Sequence, residues 1–199
     1  MALHPVSWQR MAKGIDDVRQ RLERAAAALT AHGVDYAVVG GNAVAAWVSR
    51  VDESAVRNTR DVNILLRRED MARACEALAT VGFVHRRVAS LGKMAAMDVF
   101  LDGPEAKVRD AVHVLWAGEK AVPDAIDSTP ELRETENAGR FEMAPLESLV
   151  RMKLVSFRDK DRMHLRDLIA VQLVDASWPA RFPQALARRL QAILDDPEG

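Results

Sequence analysis

Two adjacent glycines, Gly40 and Gly41, end the apolar run Tyr36-Ala37-Val38-Val39, and one short helix later comes Thr59-Arg60-Asp61-Val62-Asn63-Ile64-Leu65-Leu66. A buried strand that ends in residues without side chains can turn sharply and bring its backbone close to another group. Asp61 and Asn63 are two residues apart, so an extended chain points both to one face. The pattern therefore predicts strand, tight turn, short helix and second strand, with a polar pair near the start of the second strand.

The rest of the chain extends this plan. Ile15, Val18, Leu22, Ala25, Ala26 and Leu29 recur at helical spacing and predict a helix over 14–30, with Asp16 and Asp17 in its first turn and a stop at His32-Gly33. A strand is expected over 34–39 and a helix over 42–50 capped by Asn42, followed by a polar loop over 51–58 and a strand over 60–66. Met71, Ala74, Cys75 and Leu78 mark an amphipathic helix over 69–80. Strands are predicted at 83–88, 95–101 and 111–116; they lie too close together for crossover helices, so they must pair as antiparallel hairpins. Residues 118–139 read as an irregular connection, with a short strand at 140–143. Pro145 opens a helix with Leu146, Leu149, Val150, Lys153, Leu154 and Phe157 on one face; helices over 160–173, capped by Asp159, and 183–194 follow. The expected fold is α/β of the α+β kind, a mixed helix-flanked sheet over 1–143 with a helical region, 144–199, packed on it.

Composition narrows the function classes. With 199 residues, 49% of them hydrophobic, the chain can bury one substantial core. Its 28 basic and 29 acidic residues give no overall attraction to nucleic acid or to an anionic membrane, so a nucleic-acid role must rest on local residues. A single cysteine, Cys75, excludes an intrachain disulfide and a thiolate metal cluster. Met1 to Trp8 lacks the apolar core of a signal peptide, and no run approaches the roughly 18 apolar residues of a membrane span. The expectation is a soluble, cytoplasmic protein.

Val39-Gly40-Gly41-Asn42-Ala43-Val44-Ala45-Ala46-Trp47, then Thr59-Arg60-Asp61-Val62-Asn63, then Lys153-Leu154 with Arg158-Asp159-Lys160-Asp161 and Arg166-Asp167-Leu168, resembles the nucleotidyltransferase fold. In particular it is similar to the AbiEii/MenA-like toxin and minimal-nucleotidyltransferase group, over roughly residues 31–170. The resemblance implies binding of Mg²⁺ and an NTP, with transfer of a nucleoside monophosphate to a hydroxyl on RNA, protein or a small molecule. Gly40, Gly41 and Asn42 would approach the phosphates, and Lys153 and Arg158 would reach them from the C-terminal helices. Asp61 matches the first metal-holding acid of an Asp-x-Asp pair, while Asn63 stands at the second, where an amide oxygen can ligate Mg²⁺ but brings no charge. Asp98 and His113 compete for the position of the third, proton-accepting acid: Asp98 is the acid on a strand, whereas His113 fits the strand order.

Other readings accompany these. Lys153 sits on an apolar helix face and needs an anion, which Asp161 or Asp167 supplies as well as a phosphate would. Asp61 has Arg60 and Arg67 as candidate partners. His85, His113 and His164 lack ligand spacing, and Trp47, Trp116 and Trp178 read as packing. The missing carboxylate at position 63 makes a catalytically degenerate nucleotide-binding or partner-binding module the alternative, with a toxin–antitoxin setting as one form of it.

Overall fold

The computed structural model describes residues 6–89 and 96–197. The expected strand start at Ala95 and most of the expected leaderless N-terminus, Met1 to Pro5, lie outside the described residues.

Helix α1 spans Trp8–Ala31 and begins well before Gly14, because the Ser7 hydroxyl accepts the Arg10 N–H at 3.3 Å and caps it. Strand β1 (Tyr36–Val39) passes directly into α2 (Gly40–Ser49), with Gly40 at φ +75°, a conformation that a side chain would strain. Asn42 is thus inside the helix and not its cap. Strand β2 (Val62–Leu66) leads to α3 (Met71–Ala79), and β3 (Val84–Val88), β4 (Met97–Leu101) and β5 (Ala111–Trp116) follow. Two short strands, β6 (Glu136–Asn137) and β7 (Glu142–Met143), precede α4 (Leu146–Ser156), α5 (Asp159–Ala170) and α6 (Gln184–Asp195).

The seven strands form one mixed sheet in the order β3-β4-β5-β2-β1-β7-β6. β3, β4 and β5 pair antiparallel, as their short connections require, whereas β2 runs parallel to β5 and antiparallel to β1. Val38, Ile64, Leu66, Val112, Val114 and Phe100 face the helices and join Leu29, Leu78, Leu149, Leu154, Leu165 and Leu186 in the main core. Ala37, Val39 and Leu65 point to the other face, where Leu132, Ala144 and Met152 cover them. Residues 118–139 therefore have a packing role despite their irregular course.

Between α4 and α5 the chain turns at Phe157, whose φ of 47° is left-handed. The Arg162 and Arg189 guanidiniums lie over its ring at 5.1 and 4.9 Å from the centroid. Stacking of this kind offsets part of the backbone strain. The turn aims the start of α5 back across the sheet toward β2.

Candidate functional site

The site is built from the glycine turn outward. A Cβ on Gly40 would come within 2.9 Å of the Asn63 side-chain nitrogen, and one on Gly41 would lie 2.8 Å from the Thr59 side chain. Both glycines are required by close approach of the turn to the segment entering β2. Asn42 Nδ2 donates to the Asp61 carbonyl at 2.9 Å, and Asn63 Nδ2 donates to the same carbonyl at 3.3 Å. The start of α2, whose first N–H groups lack intrahelical partners, is thereby fixed beside Asp61.

Asp61 itself sits just ahead of β2 and is paired with Lys160 of α5, Nζ to Oδ2 3.5 Å. Its expected partners point elsewhere in one case that can be traced: Arg67 bonds Asp35 at 2.9 Å and the Leu132 carbonyl at 2.5 Å. The Lys160 and Asp61 side chains are 54% and 41% exposed, so the pair is open to solvent and adds little to stability. Nearby, Arg57 makes a bidentate bond to Asp167 at 3.0 and 3.1 Å, tying the chain before β2 to α5.

Strand register separates the two candidates for the third position. Asn63 is opposite Val39 on one side and His113 on the other, and His113 is opposite Val99. Facing residues share a sheet face, so Asn63 and His113 stand side by side away from the helices. Asp98 alternates with Val99 and projects to the helix-covered face, where it is buried and bonded to His85 Nε2 at 2.9 Å. His113 Nε2 donates to the Val108 carbonyl at 2.9 Å, which leaves Nδ1 as its acceptor nitrogen.

Lys153 and Arg158 are placed by Asp161. Lys153 Nζ is buried and donates to Asp161 Oδ1 at 3.0 Å, so its ammonium serves an internal ion pair. Arg158, the residue that caps α5 in place of the expected Asp159, gives its backbone N–H and Nε to Asp161 Oδ2 at 3.3 and 2.9 Å. Burial alone would raise the Asp161 carboxyl, but the Arg158 bond and the Lys153 charge hold it at about 2. Burial also lowers the Lys153 ammonium from its ordinary value, against the pull of Asp161. His164, one turn along α5 from Lys160, is pushed down to about 4 by burial and by the Lys153 charge, and its Nδ1 is buried without a hydrogen-bond partner.

The donor set does not fit a two-metal centre. It offers one carboxylate already facing an ammonium, one neutral amide and one imidazole that has committed Nε2 to a carbonyl. Among the described residues, no three His, Cys, Asp or Glu side chains are grouped so as to hold a metal ion. Two cavities, of about 260 and 640 Å³, lie elsewhere, lined by residues such as Tyr36, Arg67 and Thr135, and Asp127, Glu131 and Arg151. Lys160 is the member whose position the sequence left open, since nothing local to Asp61 indicates which turn of a distant helix lands beside it.

No protein-family model and no curated protein sequence matches this chain. Among solved structures, it superposes on an antigenic nucleotidyltransferase-like protein from Paracoccidioides brasiliensis with a TM-score of 0.53 at 18% identity, over 92% of this chain and 90% of that one. Two structures of the antibiotic-resistance factor ANT(2'')-Ia match at 15% and 17% identity over 94% and 92% of this chain and 92% and 97% of theirs. Their TM-scores are 0.45 and 0.44. The chain has the nucleotidyltransferase fold. No helix among the described residues is long and apolar enough to cross a membrane.

Proposed function

We propose that this protein binds a nucleotide through its phosphates at the start of α2 and does so without a two-metal centre. The observation that carries the reading is the Asp61–Lys160 pair: the chain itself supplies a cation beside the one carboxylate that would otherwise receive a metal. Gly40 and Gly41 let the first turn of α2, whose N–H groups lack intrahelical partners, start beside Asp61; Lys160 adds positive charge there, and the exposed side chain of Arg158 adds a second cation on the same end of α5. Asn42 and Asn63 hold the Asp61 backbone in place and contribute no charge.

The competing reading is Mg²⁺-dependent transfer of a nucleoside monophosphate from an NTP to an RNA, protein or small-molecule hydroxyl. The exposure of Asp61 favours it, because an arriving cation can reach the carboxylate. A toxin-like role with a cognate protein partner extends that resemblance and is tested by the neighbouring genes.

Titration calorimetry with ATP and GTP, in EDTA and in Mg²⁺, decides between the readings when run beside transfer from α-labelled NTPs. Binding that persists in EDTA and is lost in Lys160→Glu supports the metal-free reading. Binding only with Mg²⁺, or label on an acceptor, supports the transferase, and no binding in either buffer overturns both.

A further inference from the structure

None of residues 50–61, the chain between α2 and β2, is buried, and only Val56 packs at the edge of the main core. A segment with so little apolar contact depends on polar ties for its course. Its first half is held locally: Asp52 Oδ1 accepts from the Ser54 N–H and hydroxyl at 2.8 and 2.6 Å, and Arg50 donates to the Asn137 carbonyl at 2.6 Å. In its second half, residues 57–60 make no backbone-to-backbone hydrogen bond among the described residues. Asn42 fixes the far end alone, at the Asp61 carbonyl.

Two side-chain pairs tie 57–61 to α5. Asp61 meets Lys160 in a single 3.5 Å contact between half-open groups, whereas Arg57 grips both oxygens of Asp167, whose side chain is 12% exposed. The two-point bond on a largely desolvated carboxylate is the stronger tie. Lys160 and Asp167 are two turns apart, so they lie on one face of α5 about 10 Å from each other. Arg57 and Asp61 are four residues apart, and an extended chain covers about 13 Å in that length. The two lengths match, so the segment runs antiparallel along α5 with one pair at each end. Thr59 falls midway, and its side chain is the one that closes on Gly41. His164, on the same face between Lys160 and Asp167, is held at about 4 and is neutral near pH 7, so it does not compete as a cation for Asp167.

We infer that Arg57 and Asp167 are positioning residues for the phosphate site at the start of α2: through the 57–61 segment they hold Thr59 on Gly41 and keep the Asp61 side chain toward Lys160, without touching the ligand themselves. This rests on the phosphate-binding reading proposed above. The Asp61–Lys160 contact is too weak to set the segment alone. With Arg57 released, Thr59 and Arg60 have no tie on their N-terminal side, and a ligand would have to order them at a cost to its own affinity. The planar fork of an arginine is needed for the two-point grip, which a lysine cannot reproduce.

Backbone ¹⁵N relaxation of the ligand-free chain, with titration calorimetry against ATP, tests this. Both are read well below the melting temperature, so a general loss of stability does not move them. In wild type the amides of 58–61 should be as ordered as the sheet, with order parameters of about 0.85; Arg57→Ala and Asp167→Ala should each lower them to about 0.6 or less. The same two variants should raise the ATP dissociation constant about tenfold, and Arg57→Asp/Asp167→Arg should restore the order and most of the affinity. Order parameters that ignore the single substitutions overturn the inference, as does order lost with no loss of affinity. A charge-swapped chain that is ordered but still binds weakly also overturns it, because Arg57 would then be touching the ligand. A wild type that binds no ATP removes the phosphate-binding reading, and the order parameters alone then decide whether the pair positions the segment.

Discussion

Lys160 of α5 places its ammonium 3.5 Å from the Asp61 carboxylate at the mouth of the glycine turn. If this pair takes the place of a metal, removing the lysine and restoring the acid should recreate a cation site. Lys160→Gln/Asn63→Asp is expected to bind Mn²⁺ at least about tenfold more tightly than the wild type, as followed by electron paramagnetic resonance of free Mn²⁺. Equal Mn²⁺ binding by the two proteins would remove the lysine's proposed role.

Gly41 and Thr59 form a contact that can be dissected by paired substitution. Gly41→Ala forces a methyl group against the Thr59 side chain and should cost about 1–3 kcal/mol in urea denaturation. Thr59→Gly clears that space, so the double variant should lose less than the sum of the two single losses. Strict additivity would mean that the turn relaxes by another route.

The buried Lys153–Asp161 pair predicts a cost at the α4–α5 turn. Lys153→Met leaves the Asp161 carboxylate, among the described residues, with Arg158 as its cationic partner, and a loss on the order of 3 kcal/mol is expected. Lys153→Met/Asp161→Asn should recover part of it, because the uncompensated charge is gone. Thermal melts of the three proteins check the order.

Acid should act in two windows. His164 is held at about 4, below its ordinary 6.5, so the unfolded chain takes up a proton first and stability falls as pH drops from about 6.5 toward 4. Asp161 is held at about 2, below its ordinary 3.8, so its contribution is complete above that range and is lost as pH falls from about 4 toward 2. Denaturation midpoints measured from pH 7 to pH 3 should decline in wild type. His164→Gln should flatten the upper part of that decline.

The scaffold was legible because its signals are local. Gly40-Gly41 after an apolar run, the crowded strands between Phe83 and Trp116, and Pro145 before a leucine face each constrain their own neighbourhood. Helix starts were less legible: Asn42 and Asp159 looked like caps, but close packing of the glycine turn begins α2 at Gly40, and Asp161 reaching back makes Arg158 the cap of α5. The site was the least legible part because it depends on register and on helix phase. Asp98 and His113 both read as strand residues, and only the pairing of β4 with β5 assigns them to opposite faces. Lys153 read equally as a phosphate ligand or as an ion-pair partner until the turn at Phe157 brought Asp161 over it.

The row Val39, Asn63, His113 and Val99 crosses four neighbouring strands, and none of its side chains points into the main core. Asn63 and His113, its two half-open members, can therefore be exchanged for acids without disturbing the main core, at the cost of the bonds they give to the Asp61 and Val108 carbonyls. Bringing Asp98 into the row would require β4 to slip by one residue, which would also turn Phe100 out of the core. In evolutionary terms, gain or loss of a carboxylate centre on this scaffold is a matter of side chains in one row. Exchanges within that row leave the packing of the main core in place.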